Sequence, residues 1–209
     1  MNNGYGTAES QAQQSIAALD LSTLQLKDFP DSRFVAEAHQ SYFLGLAFAS
    51  NGRFLYASVV SLTDATGKKR GNIGNGIAVY RFEKGKVKRS RFLPIPPLKL
   101  APGKRVATAL GATLAGTAIA YPAGFSVISV NGNDELLVAN NLSDTVVLLD
   151  SQTGKILRRF DVSTNEVVPS SFPYTVIAKR PLSKISPLSN DGNAILISFP
   201  LQPLALRAV

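Results

Sequence analysis

Short apolar runs, each stopped by a small polar turn, make up most of the chain. Residues 43–48 form one run and 53–58 the next, with Ser50-Asn51-Gly52 between them. An Asn-Gly pair supplies the positive φ angles that a tight hairpin needs, so the two runs predict paired strands. Residues 76–82 are a third run, and Glu83-Lys84-Gly85-Lys86 turns it into a fourth at 87–93. The same four strokes return at 124–128, 135–140, 144–150 and 155–160, with turns at 131–134 and at Ser151-Gln152-Thr153-Gly154. Four strands of ordinary length, each followed by a turn, are the unit of a propeller blade.

Two partial copies flank these. Residues 15–20 and 24–26 match the last two strands of a blade. Residues 172–178 and 194–198, with Ser189-Asn190-Asp191-Gly192 between them, match the first two. Internal repetition of a supersecondary unit sets the architecture. The predicted fold is all-β, a partial β-propeller of about three to four four-stranded antiparallel blades in one domain over 1–209. Its expected divisions are a partial blade at 1–34, a blade at 42–96, an insertion at 97–120, a blade at 121–164, a partial blade at 172–198 and an irregular tail at 199–209.

Leu136-Leu137-Val138-Ala139-Asn140-Asn141, followed by Leu149-Asp150 and Thr153-Gly154-Lys155, resembles the signature of the YVTN-type β-propeller repeat family, and Tyr121-Pro122-Ala123-Gly124 is similar to the lead into that family's first strand. More narrowly, the insertions around 71–76 and 161–174 resemble the propeller half of bacterial proteins that carry a phosphoesterase domain of the alkaline-phosphatase superfamily. The resemblance implies a binding scaffold within a larger exported protein, with phosphoesterase metal ligands and nucleophile in a downstream domain. It also implies seven blades, more than this chain supplies, and the run 199–207 does not continue the repeat. The expectation is a truncated propeller whose open blade edges favour self-association.

Composition sharpens this picture in three ways. The chain of 209 residues has no cysteine, which excludes disulfides, thiolate metal sites and cysteine nucleophiles. Its formal charge is +8, which favours an anionic partner without naming it. The basic residues gather at Lys68-Lys69-Arg70, at 84–91 and at Lys104-Arg105, each beside Gly or Ser, which predicts charged loop tips. Residues 1–6 lack the basic and apolar regions of a signal peptide, so the compartment is not legible in the chain itself. Residues 106–130 are uncharged and long enough to cross a bilayer, but they are rich in Ala, Thr and Gly, are interrupted by Tyr121-Pro122, and their second half belongs to the repeat, so no membrane span is expected.

Candidate chemistry is sparse. His39 is the single histidine, which excludes a multi-histidine metal cluster. The glycines of 71–76 suggest a phosphate cradle, but such a loop must lead into a helix, and a strand follows here. Asp144, Asp150, Asp161 and Glu166 invite a paired-carboxylate reading, yet Asp144 and Asp150 bracket one strand and are better explained as turn caps. Asn141-Leu142-Ser143 is a glycosylation sequon that reads more simply as a hydrogen-bonded turn. No catalytic residue, metal site or cofactor is expected.

One position recurs. Tyr42, Tyr121 and Phe172 each sit three residues before a first-strand residue, namely Gly45, Gly124 and Thr175. First strands are innermost in a propeller, which puts these rings, with His39 and Tyr174, near the mouth of the central channel as binding candidates. They would either stack on a ligand or wedge neighbouring blades together, and recurrence favours wedging. The leading expectation is a non-catalytic binding module. A lactonase-like propeller hydrolase and a basic binder of single-stranded nucleic acid are the alternatives.

Overall fold

The computed structural model describes residues 15–31, 33, 40–100 and 117–162. His39, Phe172 and Tyr174 lie outside the described residues, as do the second partial blade, the tail and Lys104-Arg105. What is described is all strand and turn: β1 (Ser15–Leu19), β2 (Leu26–Pro30), β3 (Ser41–Phe48), β4 (Phe54–Val60), β5 (Gly76–Glu83), β6 (Lys86–Pro94), β7 (Leu98–Lys99), β8 (Thr117–Ala118), β9 (Pro122–Val130), β10 (Asn133–Asn140), β11 (Thr145–Asp150) and β12 (Ile156–Asp161). Among the described residues no helix is long and apolar enough to cross a membrane, and the second half of the uncharged stretch at 106–130 is strand β9.

Two four-stranded antiparallel sheets, in the orders β3-β4-β5-β6 and β9-β10-β11-β12, form successive blades, and β1-β2 is the hairpin of a third. Within each blade the neighbours in sequence are the neighbours in space, so every connection is short or returns on one side. The central strands are buried on both faces, as the run Leu55–Val60 and the run Gly76–Tyr80 show. They therefore read as continuous apolar segments rather than as alternating ones.

The two complete blades meet face to face. Tyr56, Ile77, Val79 and Leu93 of the first blade pack against Leu136, Val138, Val147 and Leu149 of the second in one buried cluster. At the inner side of this seam β3 and β9 approach so closely that a Cβ on Gly45 would stand 2.4 Å from the ring of Phe125 and 2.5 Å from the Ala123 carbonyl oxygen. Glycine is required there because any side chain would occupy the space of the neighbouring blade. Polar contacts tie the same seam elsewhere: Ser50 N–H donates to Asp134 at 3.1 Å and the Arg91 guanidinium donates to the Ser151 carbonyl at 2.9 Å. The opposite face of the first blade carries a second cluster in which Ile16 of β1 joins Tyr42, Leu55, Ala57, Val59, Ala78 and Tyr80.

Repetition extends to hydrogen-bond detail. The Asp20 carboxylate accepts from Ser22 N–H at 2.9 Å and Thr23 N–H at 3.1 Å, and the Asp150 carboxylate accepts from Gln152 N–H at 2.9 Å and Thr153 N–H at 2.7 Å. The β1–β2 and β11–β12 turns are thus one structure written in two sequences. Both first strands also bulge just after the recurrent tyrosine, β3 between Tyr42 and Leu46 and β9 opposite Val138–Asn140. In β3 the Ser58 hydroxyl accepts the Gly45 N–H at 2.8 Å and so satisfies a donor that the bulge would otherwise strand.

Two local expectations are corrected. Residues 24–26 do not form a strand: Leu24 lies in the turn with φ of 56° and β2 runs from Leu26 to Pro30. The basic group at 84–91 is not a loop tip either, since only Lys84 and Gly85 turn the chain and Lys86–Pro94 is the outermost strand of its blade. The outermost strand of the next blade carries Arg158 and Arg159, both exposed. Among the described residues both are edge strands of their sheets, where charge disfavours pairing with another chain.

Candidate functional site

The two ends of the blades are built differently. Turns at one end are minimal, with positive φ at Gly52, at Lys84-Gly85 and at Asn131-Gly132. At the other end the β4–β5 connection, residues 61–75, and the β6–β9 connection are long. Tyr42 and Tyr121 stand at this second end, and their strands begin side by side, because Phe43 meets the Tyr121 ring edge-on at 5.1 Å. This loop end is the candidate functional face, since binding residues concentrate on loops held by a rigid scaffold.

Asn75 is its hub. The Asn75 side-chain amide donates to the Ser61 carbonyl at 3.0 Å and to the Ala120 carbonyl at 2.7 Å, and its oxygen accepts the Ser61 N–H at 2.6 Å. One buried side chain thereby closes the base of the 61–75 loop and fastens it to the residue before Tyr121. Gln40, from the lead into β3, does the same further out, accepting Ile73 N–H at 3.0 Å and donating to the Gly74 carbonyl at 2.5 Å.

Asp64 organises the tip. Its carboxylate accepts Lys68 N–H at 2.9 Å and Lys69 N–H at 2.6 Å, while its carbonyl accepts from the Asn72 amide at 3.1 Å. The backbone of the basic tripeptide is therefore fixed from below, and the Lys68, Lys69 and Arg70 side chains are left exposed. The loop that glycine content marks as pliable is a hydrogen-bonded platform carrying cations. It leads into strand β5, not a helix, so it lacks the helix N-terminus of a phosphate cradle.

Tyr42 and Tyr121 are both buried, at 0% and 2% exposure. Tyr121 belongs to a cluster with Val60 and Ile119, with Phe43, Leu62, Ala65 and Leu142 against it. Tyr42 is the first member of a buried polar chain. Tyr80 O–H lies 2.6 Å from Asp31 Oδ2, and the Tyr42 and Tyr80 hydroxyls are 2.5 Å apart. Each phenol has one proton, and the carboxylate can only accept, so Tyr80 donates to Asp31 and Tyr42 donates to Tyr80. Arg33 closes the chain with donation from Nε to Asp31 at 2.9 Å and with its guanidinium 5.6 Å from the Tyr80 ring centre.

The electrostatics follow from that order. Burial raises the Tyr80 phenol far above its ordinary range, with Tyr42 and the Asp31 hydrogen bond adding to the rise, and burial likewise raises Tyr42. Burial works against the Asp31 carboxylate, yet the hydrogen bonds from Arg33 and Tyr80 outweigh it and hold the group below 3.8. The polar chain ties β3 and β5 of the first blade to the segment that follows β2. Sequence reasoning missed it because Asp31 and Tyr80 are far apart along the chain; the signal available was only an acid and an arginine just after a strand.

The remaining acids are also engaged structurally. Asp150 caps its turn, and those hydrogen bonds keep it below the ordinary range. Asp134 accepts from Ser50 and from the Tyr56 hydroxyl. Asp144 occupies a turn at φ of 46°, and Asp161, at the end of β12, pairs with the neighbouring Thr145, with the Val162 N–H donating to the Asp144 carbonyl at 2.9 Å; Glu166 lies outside the described residues. In the sequon, Asn141 is buried and its N–H donates to the Tyr121 carbonyl at 3.0 Å. Among the described residues no group of three His, Cys, Asp or Glu is placed to hold a metal ion.

No protein-family model matches the chain, and no curated protein matches it. Among solved structures it is similar to a candidate 6-phosphogluconolactonase from Bacteroides uniformis, at 16% identity and a TM-score of 0.38, over 69% of this chain and 32% of that one. The chain thus spans about a third of that protein's length. A likeness at this level says nothing of chemistry, and the propeller assignment rests on the sheet order and blade packing described above.

Proposed function

We propose that the chain is a non-catalytic β-propeller module of the YVTN-repeat type, one part of a larger phosphoesterase-linked protein, which binds an anionic partner at the loop end of its blades. The observation that supports this reading is the platform of residues 61–75. Asp64, Asn72 and Asn75 spend their side chains on the loop's own backbone, and three cations project from the result. Pre-ordering the backbone lowers the entropy lost when a ligand docks. The carboxylates that an enzyme would use are instead engaged in turns and seams.

The test is binding of a fluorescent single-stranded oligonucleotide, as a polyanion probe, across a salt series. Replacing Lys68, Lys69 and Arg70 together by Ala is expected to weaken binding about tenfold at low salt and to lower the log–log salt slope by about 2, the share of three lost phosphate contacts. Equal affinity and slope in the two proteins would remove the loop platform as the binding face.

A further inference from the structure

The seam between the two complete blades holds a group of buried polar side chains. Tyr56 of β4 and Arg91 of β6 come from the first blade, and Asp134 of β10 and Ser151 of the turn after β11 come from the second. Tyr56, Asp134 and Ser151 are 1%, 6% and 0% exposed. Their contacts interlock. Arg91 Nη2 donates to the Ser151 carbonyl at 2.9 Å, Ser151 N–H donates to the Asp134 carbonyl at 3.2 Å, and the guanidinium lies 5.2 Å from the Phe54 ring centre. Asp134 Oδ2 is engaged by the first blade, accepting Ser50 N–H at 3.1 Å and facing the Tyr56 hydroxyl at 3.5 Å.

Three atoms of this group are buried and have no hydrogen-bond partner among the described residues: Arg91 Nε, Asp134 Oδ1 and Ser151 Oγ. Among those residues one further buried side-chain atom is without a partner, Asn140 Oδ1, and it stands at the other end of β10. The three lie around one phenol. Burial raises the Tyr56 phenol above its ordinary range, and the side chains close enough to act on it are Ser151, Asp134 and Arg91. The Ser151 hydroxyl approaches Tyr56 without the geometry of a hydrogen bond. A buried donor or acceptor left unmade is costly, most of all when it belongs to a charged group.

The chemistry of the three atoms names what satisfies them. Arg91 Nε can only donate, a carboxylate oxygen can only accept, and a serine hydroxyl can do either. One small molecule that accepts one bond and donates two meets all three. A cation would stand against the guanidinium and an anion against the carboxylate, which leaves water. We infer that the seam binds one ordered water molecule between Arg91 Nε, Asp134 Oδ1 and Ser151 Oγ. Through it the outermost strand of the first blade is coupled to β10 and the β11–β12 turn of the second. Arg91 and Asp134 then act on each other through a bridge that Ser151 orients, rather than as a direct ion pair. The site shares no residue with the 61–75 platform.

Two measurements on the full chain test this. A high-resolution crystal structure of the unmodified protein should show one solvent peak at hydrogen-bond distance, roughly 2.5–3.2 Å, from all three atoms. No peak, a peak that misses one of the three, or side chains turned so that Arg91 bonds Asp134 directly would each overturn the inference. In solution, Ser151→Ala and Asp134→Asn, singly and together, form a double-mutant cycle read from urea unfolding. The two side chains do not bond each other, and neither substitution removes the backbone bond between their residues. Sharing one water therefore predicts non-additive effects on the unfolding constant, with a coupling of at least about threefold. Additive effects would overturn the inference. Should either variant fail to fold, the solvent peak of the unmodified chain still decides.

Discussion

The two complete blades share strand order, a bulge after the recurrent tyrosine and an apolar seam, yet their connections differ at one end. Where the second blade joins β10 to β11 through a tight turn around Asp144, the first inserts the whole 61–75 loop. At the opposite end both blades use minimal turns. A fold that tolerates elaboration at one end and not at the other separates its tasks: the seams hold the blades, and the loops are free to acquire binding chemistry. The blades differ in their outer packing as well. The first is sandwiched between the second blade and the β1-β2 hairpin, and its Tyr42 and Tyr80 join Asp31 and Arg33, just past that hairpin, in a buried polar chain.

The shared seam is the place to strike both blades at once. Gly45→Val inserts three carbons where even a Cβ would stand 2.4 Å from Phe125 and 2.5 Å from backbone. Overpacking against a ring costs rotamer strain, and overpacking against backbone forces the blades apart. We expect a loss of at least about 3 kcal/mol, read as a lower urea midpoint, with both blades unfolding in one transition. Gly85→Ala is the control, because nothing lies within 4 Å of its added carbon and only the positive φ is strained. A midpoint for Gly45→Val no lower than that of Gly85→Ala would mean that the blades do not meet as described.

A smaller effect should separate the two blades. Asp31→Asn removes the charge that Arg33 and the Tyr80 hydroxyl are oriented to meet, and charge-assisted hydrogen bonds contribute roughly 1.5–3 kcal/mol. The expected loss at neutral pH is about 2 kcal/mol, felt in local opening of the first blade and its hairpin. Because the Asp31 pKa is lowered on folding, its contribution is present above 3.8 and fades as pH falls through the lower folded value. The stability gap between the two proteins should therefore be constant from neutral pH to about 5 and narrow below 4. Amide exchange at Tyr80 should quicken in the variant while exchange at Val147 stays the same. A gap that does not change with pH would show that Asp31 contributes by shape rather than by charge.

What the chain's pattern revealed, and what it hid, divides along the same line. Strand runs and turn residues are local, so the fold class and the blade frame were legible from apolar runs and from turns such as Asn51-Gly52 and Asn131-Gly132. The recurrent tyrosines were legible as positions, but not as contacts. Tyr42 finds its hydroxyl partner on β5 and, through it, Asp31 just past β2, and no local pattern encodes such a pairing. The platform was hidden for a related reason. Its glycines suggest pliancy, whereas its order comes from the side chains of Gln40, Asp64, Asn72 and Asn75 folding back on backbone. The basic group on β6 misled because a strand with an open edge and a loop tip both favour lysine.

The smallest prediction compares the two copies of the Asp-capped turn. Each needs a residue at positive φ just before its last hydrogen bond: Gly154 at 75° in β11–β12, and Leu24 at 56° in β1–β2. The bonds around them match, with Leu24 N–H to Asp20 O at 2.7 Å and Gly154 N–H to Asp150 O at 2.9 Å. Leucine in the left-handed region costs about 1 kcal/mol through its Cβ, and Leu24 recovers little by burial because it is 73% exposed. Leu24→Gly should therefore stabilise the hairpin by several tenths of a kcal/mol to about 1, after the added freedom of glycine in the unfolded chain is deducted. The Asp20 carboxylate, held at about 2 by hydrogen bonds from Ser22 and Thr23, should titrate unchanged. A higher thermal midpoint with that titration intact fits one turn written twice. A lower midpoint would mean that Leu24 is held by contacts of its own, and that the two turns share bonds but not the reason for them.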